Sequence, residues 1–345
     1  MTDLLRARTL SDLIGVVPAL FGFHPHDSLV ALCLDGPSGR AGFRLRTDLP
    51  PVVEAEAAAR SLVGYLVAQE PEAVVLIAFA EEGRDHEARA VVDAMTEGLT
   101  AEGVRVVEAV RYDGTHYFSY SCTDPECCAP EGVPCDVASS PMLAEAVYRG
   151  LEVLPSRDDL VRRYAAVTGP ARREAERATA REAAALGRRR SCLPAQRDPD
   201  LLRRGLDRVR PIVERLDGLA VADGVVLSIP DKAALAVWTS LIVVRDVLWS
   251  RITHSNAAVS LATWREVGVS AVAPFQAAPL TLAAFSAWLS GDGAQAQCAL
   301  DRVAEVAPGY SMAGLVQTTL TGCLDPRAWQ GIGEDDVLRT VPGLS

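Results

Sequence analysis

Residues 117–135 read Y-F-S-Y-S-C-T-D-P-E-C-C-A-P-E-G-V-P-C and separate two periodicities in the chain. Four of the eight cysteines, Cys122, Cys127, Cys128 and Cys135, fall within fourteen positions of this stretch. Upstream of it, apolar runs of strand length alternate with segments of helical period. Downstream, only the helical period continues. The stretch therefore reads as a joint, with an α/β domain over 1–121, a Cys/Pro-rich connector over 122–140 and a helical domain over 141–345.

Working outward on the N-terminal side, 11–20 is expected to be a short helix, with Ser11 as N-cap and Leu13, Ile14 and Val17 on one face. The run S-L-V-A-L-C-L at 28–34 has the composition of a strand covered on both faces. Turn residues follow, and 41–49 returns as a second strand of a hairpin, with Arg44, Arg46 and Asp48 toward water. A helix over 51–69, the very apolar strand 73–80, a helix over 85–101 and a strand over 104–110 come next. Strand–helix–strand repetition predicts a mixed, mostly parallel sheet with flanking helices. The aromatic strand 115–121 is expected to pair antiparallel at an edge.

On the C-terminal side, helices are expected over 142–150, 157–168, 170–190, 199–216, 231–252, 256–267, 280–290, 294–307, 311–321 and 326–339. The first part of this half is rich in charge. Sixteen arginines stand against nine acids between 157 and 215, in a chain whose net charge is −11. Such a sector, with Arg188, Arg189 and Arg190 at its most concentrated point, suits an acidic partner or nucleic acid. Tyr164 is its only aromatic, so it offers almost no surface for stacking bases, and a solvated helix face is the more ordinary outcome. Over 280–322, Ala284, Gly291, Asp292, Ala296, Leu300, Val303 and Pro308 are spaced like a tetratricopeptide hairpin.

Apolar content of 49% and positive mean hydropathy exclude a disordered chain. No basic leader with an apolar core opens the chain, and the run 233–244 is too short to span a bilayer. A cytoplasmic protein is expected, where thiols stay reduced and an even cysteine count says nothing about disulfides.

Two places carry candidate chemistry. Cys122 and Cys127 have the spacing of a zinc-ligand pair, and Cys128 and Cys135 complete a four-thiol set, in which His116 could substitute by reaching back along its strand. The same thiols would serve a redox or nucleophilic site if one had a depressed pKa. A proline-rich turn with buried thiols is the simpler outcome. The second place is His24-Pro25-His26-Asp27-Ser28, which offers two imidazoles, a carboxylate and a hydroxyl. Adjacent side chains diverge, so a turn before the first strand is the more ordinary reading, and that turn precedes its strand, at the end where ligands seldom sit. Phosphate-binding glycine loops, the G-x-S-x-G elbow and H-E-x-x-H are missing, so no catalytic motif and no resident cofactor is expected beyond zinc.

The pattern P-A-L-F-G-F-H-P-H-D-S-L-V at 18–30, with S-Y-S-C-T-D-P-E-C-C-A-P-E-G-V-P at 119–134, resembles the actinobacterial domain-of-unknown-function family 4192. Ala287-Trp288, Gly291-Asp292, Ala299-Leu300 and Pro308-Gly309-Tyr310 are similar to it as well. The resemblance implies an actinobacterial cytoplasmic protein and brings no activity or catalytic residue. It also implies that cysteine is shared at 122, 127 and 128 but not required at 135, and that other residues are tolerated at His24 and His26. The function expected is a non-enzymatic binding or scaffold protein that meets a protein partner through its helical half. A thiol-based or zinc-stabilised protein is the alternative, and binding through 157–215 a third.

Overall fold

The computed structural model describes residues 7–36, 40–188, 193–219 and 226–344. They form two compact units, Met1–Arg157 and Asp158–Ser345. The sequence places the change of architecture at 122–140, whereas the first unit runs on through the cysteines and the helix after them.

In chain order the first unit contains α1 (Leu10–Phe21), β1 (Ser28–Asp35), β2 (Arg40–Asp48), α2 (Ala55–Val67), β3 (Ala73–Phe79), α3 (Asp85–Ala101), β4 (Arg105–Tyr112), β5 (His116–Ser119), β6 (Val133–Pro134) and α4 (Pro141–Tyr148). The cap of α1 is Thr9 rather than Ser11. Its hydroxyl accepts the Asp12 N–H at 3.1 Å, and the Asp12 carboxylate accepts the Thr9 N–H in return.

The strands form one sheet of order β2-β1-β3-β4-β5-β6. Among the described strands of this sheet only β3 and β4 pair in parallel, and the other pairs are antiparallel. The expectation of a mostly parallel sheet is corrected here, and the reason is topological. A helical crossover makes β2 and β3 run the same way, but the hairpin partner β1 lies between them and opposes both. The outer edge also differs. β5 pairs antiparallel with β4 as expected, but the two-residue strand β6 covers it, with Pro134 at the outermost position where a missing N–H does no harm.

Both faces of the sheet are covered. Leu29, Ala31, Val74, Leu76 and Ala78 face the apolar sides of α2 and α3. Alternate residues Val30, Leu32, Val75, Ile77, Phe79, Val110 and Tyr112 face α1, α4, Cys135 and Val137. β3 is buried along its whole length, which is why it reads as a continuous apolar run rather than an alternating one.

The second unit is wholly helical among its described residues. Its helices are α5 (Arg157–Arg162), α6 (Gly169–Gly187), α7 (Pro199–Glu214), α8 (Ile229–Trp238), α9 (Ile242–Ser250), α10 (Ala257–Ser270), α11 (Ala277–Leu289), α12 (Gly293–Val306), α13 (Ser311–Thr321) and α14 (Glu334–Arg339). The single helix expected over 231–252 is two, bent by 113° at the break. At the break Thr239 and Ser240 turn their hydroxyls back onto the carbonyls of Leu235, Ala236 and Val237. No single described helix is long and apolar enough to cross a membrane. Every residue of α11 is buried, so the helix expected to open a tetratricopeptide-like hairpin is the centre of this unit's core.

Candidate functional site

The loop between β5 and β6 carries the cysteine motif, and its backbone explains why neighbouring thiols converge. The Cys122 N–H donates to Ser119 Oγ at 2.9 Å. The Cys127 and Cys128 N–H groups both donate to the Asp124 carbonyl, at 3.2 and 2.8 Å, while the Asp124 carboxylate accepts the Glu126 N–H. Two successive amides on one carbonyl wind the chain tightly, so the side chains of 127 and 128 do not splay as they would in a strand. Gly132 closes the loop at φ +88°, and a Cβ there would lie 2.8 Å from the Phe118 ring.

The outcome is a three-thiol cluster. The sulfurs of Cys122, Cys127 and Cys128 all lie within 4.8 Å of one another, and Cys127 and Cys128 Sγ are 4.0 Å apart. Thiolates on a tetrahedral zinc sit about 3.8 Å apart, given bonds of about 2.3 Å. A contraction of about 1 Å at most would close the cluster on an ion. Cys127 is exposed, Cys122 and Cys128 are half-buried, and all three are free. Lost solvation, then hydrogen bonding with Cys122 and Cys127, pushes the Cys128 thiol up to about 12. That is the reverse of what a nucleophilic thiolate needs.

The fourth expected ligand, Cys135, is elsewhere. It is 4% exposed in the core against α1, and its carbonyl lies 3.3 Å from the Tyr112 hydroxyl. Burial raises its pKa as well. His116, with its Nδ1 2.9 Å from Thr115 Oγ1, is not part of the cluster either.

The loop holding His24, His26, Asp27 and Ser28 has a different surrounding from the one its sequence position suggests. Because β1 runs against β3 and β4, Ser28 pairs with Phe79 and Phe79 with Tyr112. The start of β1 thus lies beside the carboxyl ends of the only parallel pair. The expectation that this loop occupies the unfavoured end is overturned. The chain enters β1 from α1 on one face and leaves β3 toward α3 on the other, and a cleft of about 840 Å³ opens between. Phe79 and Tyr112, packed edge to face with centroids 5.7 Å apart, contribute its aromatic wall. His24, His26, Arg84, Glu81, Asp113 and Asp136 bring polar groups to it.

Within that loop the chemistry is spoken for. Ser28 is fully buried, donates to the His26 carbonyl at 2.5 Å and accepts from Arg46 Nε at 2.9 Å, so it is no nucleophile. Asp27, held at φ +44°, pairs with Arg84 at 3.2 Å rather than with Ser28. Among the described residues His24, His26 and Asp27 do not gather into a metal-ligand group. Loss of solvation, with the neighbouring His26 adding to it, lowers the His24 pKa.

One network escaped the sequence reading. Arg111, 5% exposed, places Nε 2.9 Å from Asp85 as an ion pair off the N–H axis. It also donates to the Ala80 carbonyl at 3.2 Å and stacks 4.2 Å from the Phe118 ring. Tyr120 donates to the same Asp85 at 2.9 Å. The start of α3 is thereby tied to β4 and to the strand that leads into the thiol loop. Alternation over 105–112 sets Arg111 with Arg105, Val107 and Ala109, a mixed face that gave no signal of its burial.

In the arginine sector, Arg162, Arg172, Arg203, Arg208, Arg210 and Arg215 are ion-paired with Asp159, Glu176, Asp200, Glu182, Glu334 and Asp231. Arg188 is exposed, while Arg189 and Arg190 lie outside the described residues.

No curated protein and no solved structure matches this chain. A family model described as a domain of unknown function (DUF4192) matches residues 11–327, nearly the whole chain, and the protein belongs to that family.

Proposed function

We propose that the protein binds a thiophilic divalent cation, zinc in the first instance, through Cys122, Cys127 and Cys128. The observation that carries this reading is the convergence of three free thiols within 4.8 Å of one another. Convergence of that kind concentrates three developing negative charges, which is costly until a cation neutralises them. The raised Cys128 pKa gives no support to a nucleophilic thiolate at that position. A compartment that keeps thiols reduced is the setting this reading requires. The expected scaffold role of the helical half has less support, since the groups that converge lie in the first unit.

Metal analysis of protein purified without chelator tests the proposal. About one equivalent of zinc is expected, lost in Cys122→Ser or Cys127→Ser and kept in Cys135→Ser. Zinc retained by all three variants would sink it.

A second reading is favoured by the strand-end cleft: its size and aromatic wall suit a small organic ligand. A fragment screen read by amide chemical shifts tests it. Hits should gather at residues 24–27, 80–84, 112–114 and 136–138, and scattered or missing hits would count against the cleft.

A further inference from the structure

Closed structural zinc sites surround the ion with four protein donors, whereas sites that exchange a ligand leave one position free. Among the described residues the thiol cluster has three members, with no histidine, aspartate or glutamate within the same reach. The loop that holds the thiols faces solvent, with residues 123–127 all exposed.

Charge then selects the class of that donor. Three thiolates on a divalent ion leave a net charge of −1. The loop adds Asp124, Glu126 and Glu131, and 120–132 contains neither lysine nor arginine. An anion arriving at the fourth position meets a centre of net negative charge on a loop that carries acids and no cation of its own, and a neutral donor escapes that repulsion. The same charge keeps a bound water from acidifying as it does on a cationic zinc centre, which argues against hydrolysis as the use of the position.

Resting on the metal reading above, we propose that the ion at Cys122, Cys127 and Cys128 keeps a fourth coordination position open to solvent that takes a neutral nitrogen donor, such as an imidazole, in preference to an anion. A histidine presented by a partner molecule is the chemistry that fits.

Cobalt(II) loaded into the full chain tests this by absorption spectroscopy. Sulfur-to-cobalt charge-transfer bands that disappear in Cys127→Ser establish that the cluster binds the ion; without them the metal reading itself fails. With the bands present, titration with imidazole should shift the ligand-field bands saturably while the cobalt stays with the protein through desalting. Azide should need roughly fivefold or more higher concentration for the same shift, as expected for a unit charge held close to a negative centre in water. Glu126→Gln with Glu131→Gln should narrow that gap while leaving the imidazole response in place. Bands that no added ligand moves would mean a closed site and overturn the inference with metal binding intact. Azide acting as well as imidazole on the unsubstituted protein would overturn it equally.

Discussion

A cysteine's role here is decided by where its sulfur ends, not by its spacing. Cys135 lies seven positions after Cys128 in sequence yet sits in the apolar core, 4% exposed, so Cys135→Ser should cost about 1–3 kcal/mol while leaving ion binding unchanged. Thermal denaturation with and without chelator separates the two effects. Tyr112 gives a second residue-scale prediction. Loss of solvation, then the neighbouring Cys135 thiol, lifts its pKa from 10.0 to about 12, and its hydroxyl donates to the Gly114 carbonyl at 2.7 Å. A folded pKa above the unfolded one favours the proton-bound form. Its stabilising share is therefore complete below pH 10 and lost as pH rises toward about 12. Alkaline unfolding followed by tyrosinate absorbance should show this loss, and Tyr112→Phe should remove that part of the pH dependence.

At the scale of elements, the approach of α1 to α4 sets one wall of the sheet. Gly15 makes it close: a Cβ there would lie 2.2 Å from Ser140 Oγ, the hydroxyl that accepts the Leu143 N–H at the start of α4. Gly15→Ala must push the helices apart or break that cap, for about 1–3 kcal/mol of destabilisation measurable by denaturant titration. Most elements were legible locally, because β3 is a continuous apolar run and α3 keeps an apolar stripe over Ala88, Val91, Val92, Met95 and Leu99. The misses are features whose local signal is short or weak. Val133–Pro134 is far too short to show a period and becomes a strand only beside His116–Tyr117. The break between α8 and α9 lies inside an apolar run, where Thr239 and Ser240 give a weak local cue.

For the whole molecule, the two units have their own cores, and the thiol cluster with all its backbone supports belongs to the first. A fragment of residues 1–157 should therefore fold alone and take up zinc with the stoichiometry of the full chain. Circular dichroism and metal analysis of that fragment check it; a fragment that folds but binds no ion would contradict the placement. Zinc should raise the melting temperature of this fragment and leave that of residues 158–345 unchanged.

The sequence by itself determined the two periodicities, the burial of the central strand, the aromatic strand before the cysteines and the crowding of cysteines into one short stretch. Each is a local property, carried by side-chain alternation or by a turn a few residues long. Only the tertiary structure decided that β1 lies reversed between β2 and β3, which carried the His24–Asp27 loop to the carboxyl ends of β3 and β4. Strand neighbours are chosen by burial of both sheet faces across long loops, and no local pattern encodes that choice. The same holds at the stretch 117–135. Its residues announced four thiols; the pairing of β5 with β6 and the turn at Asp124 brought three together and left the fourth to the core.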